Sequence, residues 1–185
     1  MALTRDFFLQ LVLWMVAGVS APHAAAAQSS PEYQLKAVFL FNFAQFVEWP
    51  TNAFAGPDAP MVIGVLGDDP FGPYLDETIR GESVNNRRLL VRRYHGVSEI
   101  DTCHILFVTR GEQGHVPQIL DSLKGRSILT VSDADRFASL GGIIRLVTDH
   151  NRIRLRINLE AARAANLTLS SKLLRPAQIV PTGRD

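Results

Sequence analysis

Short runs of consecutive apolar residues recur along the chain and alternate with segments that carry helix signals. Met61–Leu66 and Cys103–Val108 are such runs, and Ser127–Val131 is a further predicted strand. A strand that is apolar at every position has to be covered on both faces, which is typical of the parallel sheets of α/β proteins. The alternation therefore predicts an α/β fold, with a mostly parallel sheet flanked by helices in a Rossmann-like layered sandwich.

The remaining elements follow from helix and turn signals. Ser30-Pro31 is a favourable helix start, and Trp49-Pro50 ends this first helix. Because the helix is apolar on most of its sides, it is either buried in its own domain or partly covered by a second subunit. The other predicted elements are a strand over Arg88–Tyr94 and helices over Phe71–Arg80, Val116–Lys124, Asp135–Leu140, Glu160–Asn166 and Ser171–Val180.

The last two strands are predicted to form an antiparallel hairpin. With His150-Asn151 as a two-residue loop, Ile144 faces Ile157 and Leu146 faces Leu155. In this register every apolar pair falls on one side of the hairpin. A C-terminal antiparallel hairpin therefore completes the predicted sheet.

The first 27 residues have the features of a secretory signal peptide. Arg5 precedes an apolar run over Phe7–Val19, and Ala25-Ala26-Ala27 matches an A-x-A cleavage pattern. The run is shorter than the roughly 20 residues of a membrane span, although an uncleaved anchor is the alternative. We therefore expect a signal peptide over residues 1–27 and a single α/β domain over residues 28–185. The mature protein is expected in the periplasm, without direct membrane insertion.

The usual signals of catalysis and of cofactor or metal binding are missing from the sequence. Cys103 is the single cysteine, and its neighbour His104 points to the opposite face of a strand. Cys103 is therefore predicted to be a buried free thiol, with pairing between chains as the alternative. The sequence has no histidine pair with metal-ligand spacing, no Walker A or G-x-G-x-x-G motif and no G-x-S-x-G motif. We expect neither an enzyme nor a metal or cofactor. The net charge of +1 gives no reason to expect nucleic-acid binding.

Two groups of polar residues are candidate binding sites. Asp68, Ser132 and Asp133 follow predicted strands at the carboxyl edge of the sheet, where α/β proteins often bind ligands. Asp133 is equally well explained as a helix N-cap. The second group is an arginine stripe on one face of the predicted hairpin, which either meets an anion or acidic partner or is a solvated edge: Arg145, Arg152, Arg154 and Arg156.

Several segments in order resemble the YfiR/HmsC-like family. They span nearly the whole predicted mature chain: Tyr33–Pro50, Gly64–Gly72, Cys103–Phe107, Leu129–Asp133 with Phe137, Gly141–Ile144, Ile157–Leu167 and Ser170–Leu174. The resemblance implies a periplasmic α/β protein, often dimeric and without known enzymatic activity. It also implies binding to the periplasmic sensor domain of a membrane-bound diguanylate cyclase, which lowers cyclic di-GMP signalling and biofilm formation.

Two apolar surfaces are candidates for partner binding in a protein of this kind: the first helix with Trp49, and the segment Leu167–Leu174. The candidate contact residues are Trp49, Phe137, Glu160, Leu167 and Leu169. A small-ligand sensor that acts on another partner is the alternative function.

One position departs from the family pattern. Many members that resemble this chain have a second cysteine in the strand before Gly-Asp-Asp-Pro, able to pair with the cysteine of Cys-His. Gly64 occupies that position here. Redox control through this disulfide is therefore not expected for this chain.

Overall fold

The structure, a computed structural model, describes residues 30–150 and 152–183. The signal peptide predicted over residues 1–27 lies outside the described residues. Within the described ranges, no helix combines the length and the apolar character needed to cross a membrane.

Five α-helices and ten strands make up the described chain. The helices are α1 Pro31–Phe46, α2 Pro73–Ile79, α3 Val116–Ser122, α4 Leu159–Ala164 and α5 Ser171–Leu174. The strands are β1 Val47–Glu48, β2 Met61–Leu66, β3 Ser83–Val84, β4 Arg87–Tyr94, β5 Ile105–Val108, β6 Leu129–Ser132, β7 Ile144–Asp149, β8 Arg152–Ile157, β9 Thr168–Leu169 and β10 Gln178–Ile179.

Eight of the strands form the main sheet, in the order β10-β8-β7-β6-β5-β2-β4-β3. The pairs from β4 through β2, β5 and β6 to β7 are all parallel. β8 returns antiparallel to β7, and β10 pairs parallel with β8. The predicted α/β fold, with a mostly parallel sheet and a C-terminal antiparallel hairpin, is confirmed.

Helices cover both faces of the sheet, so the central strands are buried at every position. All residues of β2, β5 and β6 are buried. On one face, Phe107 of β5 belongs to the core that α1 and α2 cover, together with Phe43 and Phe71. On the other face, Leu106 and Val108 belong to a second core, which α3 covers.

The predicted register of the hairpin is also confirmed. Ile144 pairs with Ile157, Leu146 with Leu155, and Arg145 with Arg156. The apolar members of these pairs are buried, because the alternation of the strands directs them to the core.

Two predicted helices are wrong. The segment Asp135–Leu140 forms turns, because Arg136 has a φ of 59°, whereas an α-helix needs a φ near −63°. The predicted helix over Ser171–Val180 ends at Leu174. Pro176 offers no N–H of its own, so it cannot continue the hydrogen bonds of the helix. The chain then adds Gln178–Ile179 to the sheet as β10.

Candidate functional site

The predicted ligand edge contains a buried ion pair. Asp133, directly after β6, is 1% exposed, and its Oδ2 accepts hydrogen bonds from Lys36 Nζ at 2.5 Å and Tyr33 Oη at 2.8 Å. Lys36, in α1, is 0% exposed and also pairs with Glu32 Oε1 at 2.5 Å. These contacts fix the first turns of α1 to the carboxyl edge of the sheet.

The charges around Lys36 shift the pKa values of its neighbours. The hydrogen bond from Lys36, followed by one from the Thr148 hydroxyl, lowers the pKa of Glu32 below its ordinary value. Burial raises the pKa of Tyr33, and the hydrogen bond to the Asp133 carboxylate raises it further. At neutral pH, Tyr33 is therefore a neutral donor to Asp133.

Of the other residues of this edge, Ser132 is less available for ligand binding than the sequence predicts. The Ser132 hydroxyl is buried, donates to the Val108 carbonyl at 2.6 Å and accepts from the Ala134 N–H at 3.0 Å. Asp68 is exposed to solvent. Asp133 is not an N-cap, because no helix follows it. Within the described chain, Asp133 Oδ1 and the adjacent Thr109 Oγ1 are the buried atoms of this edge that lack a hydrogen-bond partner.

The arginine stripe is partly neutralised within the hairpin region. Arg145 pairs with Asp135, and Arg154 Nε donates to Asp149 Oδ2 at 2.9 Å. Arg152 is exposed, and Arg156 is half-buried beside β10. β8 is therefore not a bare edge strand, and aspartates offset part of the positive charge.

The two candidate partner surfaces come together in space. β1 and β9 form a separate antiparallel ribbon, in which Val47 pairs with Leu169 and Glu48 with Thr168. Trp49 follows β1 directly. We call this region, formed by Glu48, Trp49, Thr168 and Leu169, the ribbon surface. Glu48 and Thr168 are exposed on its outer side, whereas Leu169, opposite the buried Val47, faces inward and packs with Trp49 against the core. Sequence reasoning missed the pairing, because two-residue strands carry no periodic signal.

Two of the predicted partner contacts are wrong. Phe137 is 0% exposed and belongs to the core beneath α3, and Leu167 is also buried. Neither side chain can reach a partner across the surface of this fold. Leu169 is half-buried, and Glu160 is exposed in the first turn of α4.

A groove of roughly 470 Å³ lies between α3, the segment before β6 and α4. Its apolar lining includes Leu120, Leu123, Ile128, Leu140, Ile143 and Ala161. The volume is in the range of small-molecule sites, which are typically about 300–1,000 Å³. The sequence prediction placed the ligand at the carboxyl edge instead, near Asp68 and Ser132.

Cys103 lies beside Gly64. A Cβ atom at Gly64 would be 2.8 Å from the Cys103 sulfur, so the two positions are direct neighbours in space. Cys103 is a buried free thiol, as predicted, and burial raises its pKa to about 12. Such a thiol is almost entirely protonated at neutral pH, which makes it a poor nucleophile.

His104 connects the sheet to the loop over residues 51–60. Its Nδ1 accepts from the Val62 N–H at 3.0 Å, and its Nε2 lies 3.2 Å from the Ala53 carbonyl, to which it donates as the neutral Nε2–H tautomer. Phe54 stacks on the imidazole ring, and the Arg87 guanidinium lies 3.9 Å from the centre of the Phe54 ring. Burial lowers the pKa of His104, the hydrogen bond to the Ala53 carbonyl offsets part of this, and the positive charge of Arg87 lowers the pKa further. The net shift favours the neutral ring.

We expect His104 to make the protein less stable as the pH falls below about 6.5. The unfolded state binds a proton near that pH, whereas the folded state resists it, because protonation removes the acceptor of the Val62 N–H. The measurement is urea unfolding at pH 7.5 and 5.5 for the wild type and for His104→Asn. The difference in the free energy of unfolding between the wild type and His104→Asn should shrink by at most about 1.4 kcal/mol for each pH unit of acidification. A pH-independent difference between the two proteins would contradict this account.

A sequence model of the YfiR/HmsC-like family matches residues 33–178. A search of curated proteins found no match. Among solved structures, the chain is similar to the ABC domain from Streptococcus pneumonia in complex with L-Trp, with 12% identity, 65% of this chain covered and a TM-score of 0.46. The match covers 55% of that protein's length.

Proposed function

Because the chain belongs to the YfiR/HmsC-like family, we propose that it is a negative regulator of an inner-membrane diguanylate cyclase. It binds the periplasmic sensor domain of the cyclase and thereby lowers cyclic di-GMP signalling and biofilm formation. The family match over residues 33–178 is the observation that carries the proposal. Regulation of this kind proceeds by binding, without catalysis by this chain.

The same proposal includes export. A regulator of a periplasmic sensor domain has to reach the periplasm, and the first 27 residues have the composition of a cleaved signal peptide. The mature protein is then the single domain over residues 28–185.

We place the contact with the cyclase on the ribbon surface. Trp49 and Leu169 are both half-buried there, and Glu48 and Thr168 are exposed beside them. Half-buried aromatic and aliphatic side chains with a polar rim are the composition expected of a protein–protein contact. The Trp49 Nε1–H donates to the His104 carbonyl at 3.2 Å, which holds the indole in position.

Replacing Thr168 by arginine should abolish repression and leave the fold intact. Thr168 is exposed on β9, opposite Glu48, so a long charged side chain at this position blocks a partner without disturbing the core. Ser83→Arg is the matched control, because Ser83 is also an exposed hydroxyl residue on a two-residue strand, at the edge of the main sheet. The measurement is cyclic di-GMP in deletion cells complemented with each exported variant.

We expect deletion to raise the cyclic di-GMP level. Complementation with the wild type or with Ser83→Arg should return it to the level of the parent cells. Thr168→Arg should leave it at the level of the deletion strain. If Thr168→Arg repressed as well as Ser83→Arg, the ribbon surface would be the wrong contact. If deletion changed nothing while the protein was present in the parent cells, the cyclase proposal itself would be wrong. The alternative function of a small-ligand sensor, which the groove favours, would then take its place.

A further inference from the structure

One stretch of the main sheet has no strand beside it. β3 pairs with β4 at Arg87 and Arg88, so within the described chain β4 is the outermost strand over residues 90–93. None of these four residues is buried, whereas residues 62–65 of β2, which pair with them, are all buried. This part of β4, which we call the open edge, is therefore accessible to another chain.

The backbone of the open edge offers hydrogen-bonding groups to a further strand. The Leu89 N–H donates to the Glu82 carbonyl on the outer side of β4, and the Tyr94 carbonyl accepts from the Gly67 N–H on the side of β2. Because successive residues of a strand direct their backbone groups to opposite sides, those of residues 91 and 93 point outward. No strand of the described ranges pairs with them there. An unpaired row of this kind is a template for strand addition.

The side chains along the open edge form a row of two arginines and a leucine on one face. Arg88, Leu90 and Arg92 alternate along β4 and are all exposed. Arg88 makes no ion pair with any residue that the structure describes. Arg92 pairs with Asp101, but their side chains are 44% and 69% exposed, so water screens this pair. The row therefore presents positive charge on both sides of an apolar residue.

The row favours an acidic segment over a second copy of this chain. If two open edges paired antiparallel around Leu90, Arg88 of each copy would lie opposite Arg92 of the other. Like charges placed directly opposite on neighbouring strands are destabilising. A strand with a carboxylate at each of these two positions would instead form two cross-strand pairs of opposite charge. The arginines thus discourage pairing of the edge with itself and leave it available to a strand of opposite charge.

We propose that the open edge binds an extended acidic segment of another protein, which joins the main sheet as a further strand. The residues of this segment opposite Arg88 and Arg92 are aspartate or glutamate, and the residue opposite Leu90 is apolar. Hydrogen bonds to the outward backbone groups of residues 91 and 93 supply affinity, and the charge pattern supplies specificity. The open edge shares no residue with the ribbon surface, so the proposal does not rest on the proposed function.

The test is an NMR titration of the isotope-labelled protein with two heptapeptides. Thr-Glu-Thr-Val-Thr-Glu-Thr places two carboxylates and a valine on one face of a strand and reads the same in both directions. It should shift the amide signals of Val91 and Arg93 with a dissociation constant of about 1 mM or lower. Thr-Lys-Thr-Val-Thr-Lys-Thr should bind at least about tenfold more weakly, because both cross-strand charge pairs become repulsive.

Val91→Pro separates strand addition from simple attraction of an acidic peptide. Proline has no N–H and is tolerated on an edge strand where the N–H faces solvent, so the variant should fold. It should bind the glutamate peptide at least about tenfold more weakly than the wild type, because it loses an outward donor. Val91→Thr is the matched control, since it keeps both the N–H and the shape of the side chain, and it should bind like the wild type. Arg88→Glu combined with Arg92→Glu should exchange the preference and favour the lysine peptide.

Four results would overturn the proposal. They are unshifted Val91 and Arg93 signals at about 2 mM glutamate peptide, equal binding of the two peptides, an unchanged preference after the charge reversal, and full binding by a folded Val91→Pro. Self-association of the wild type that shifts the same amide signals would identify a second copy as the occupant and would equally contradict it. Circular dichroism establishes which variants are folded, and if Val91→Pro is not, the charge reversal decides.

Discussion

Replacing Lys36 by methionine should lower the free energy of unfolding by about 3–5 kcal/mol, which is the usual cost of removing one partner of a buried ion pair. Methionine has nearly the length of the lysine side chain, so it fills the same space without its charge. Asp133 then keeps only the Tyr33 hydroxyl as a hydrogen-bond donor to its side chain, while it stays 1% exposed. Most of the loss therefore comes from a buried carboxylate without a counter-charge.

The matched control is Lys124→Met. Lys124 also pairs with an aspartate, Asp121, but their side chains are 78% and 69% exposed, so water screens the pair. The control should change the free energy of unfolding by less than about 1 kcal/mol. Urea unfolding, monitored by far-UV circular dichroism, measures both variants.

The double variant Lys36→Met with Asp133→Asn separates charge from packing. Asparagine keeps an oxygen for the Tyr33 hydroxyl and removes the uncompensated charge, so the double variant should be more stable than Lys36→Met alone. If Lys36→Met cost no more than Lys124→Met, the ion pair would not anchor α1. If the double variant were the least stable of the set, loss of packing rather than charge would be the cause.

The role of Lys36 could not have been predicted from sequence spacing, whereas the hairpin could. The hairpin register depends on a two-residue loop and on alternation within the 14 residues from Ile144 to Ile157, and both are local properties. The ion pair joins residues 97 positions apart. The local sign was the single lysine of a helix that is apolar on most of its sides, with Glu32 one turn before it. That pattern predicts an i,i+4 pair but does not indicate Asp133.

The candidate partner surface could likewise be predicted from the sequence only in part. Trp49 and Leu169 were both predicted as contacts, but only the pairing of β1 with β9 shows that they belong to one surface. Phe137 was predicted as a contact, and the segment Asp135–Leu140 around it as a short helix. The turn at Arg136 instead directs the Phe137 ring into the core beneath α3. A backbone conformation with positive φ at a non-glycine residue has no reliable sequence signal, so this error could not be avoided.

A cysteine at Gly64 should form a disulfide with Cys103 and raise the free energy of unfolding by about 2–4 kcal/mol relative to its own reduced form. A Cβ atom at Gly64 would lie 2.8 Å from the Cys103 sulfur, and a disulfide needs about 3 Å between these atoms. The bond would close a loop of roughly 40 residues, which restricts the unfolded chain.

The reduced form of Gly64→Cys should be less stable than the wild type by about 1–3 kcal/mol, because the new side chain overfills the site. The Tyr94 ring already occupies the space, with Cε2 2.7 Å from the Cβ position, and the Tyr94 hydroxyl is held by the Thr102 carbonyl at 2.8 Å. In this chain, a tyrosine ring therefore packs over Gly64 and Cys103. The free energy of unfolding that the reduced form loses should be nearly recovered when the disulfide forms.

The matched control is Gly64→Ser, which has almost the same size and cannot form the bond. The free energy of unfolding of Gly64→Ser should be lowered equally with and without reductant. That of Gly64→Cys should recover only when no reductant is present. Thiol titration of the unfolded protein counts the free cysteines directly. Because burial raises the pKa of Cys103 to about 12, oxidation should proceed during folding and very slowly once the protein is folded. Two free thiols after refolding with oxidised glutathione, or equal behaviour of the serine and cysteine variants, would show that the sulfur atoms cannot meet.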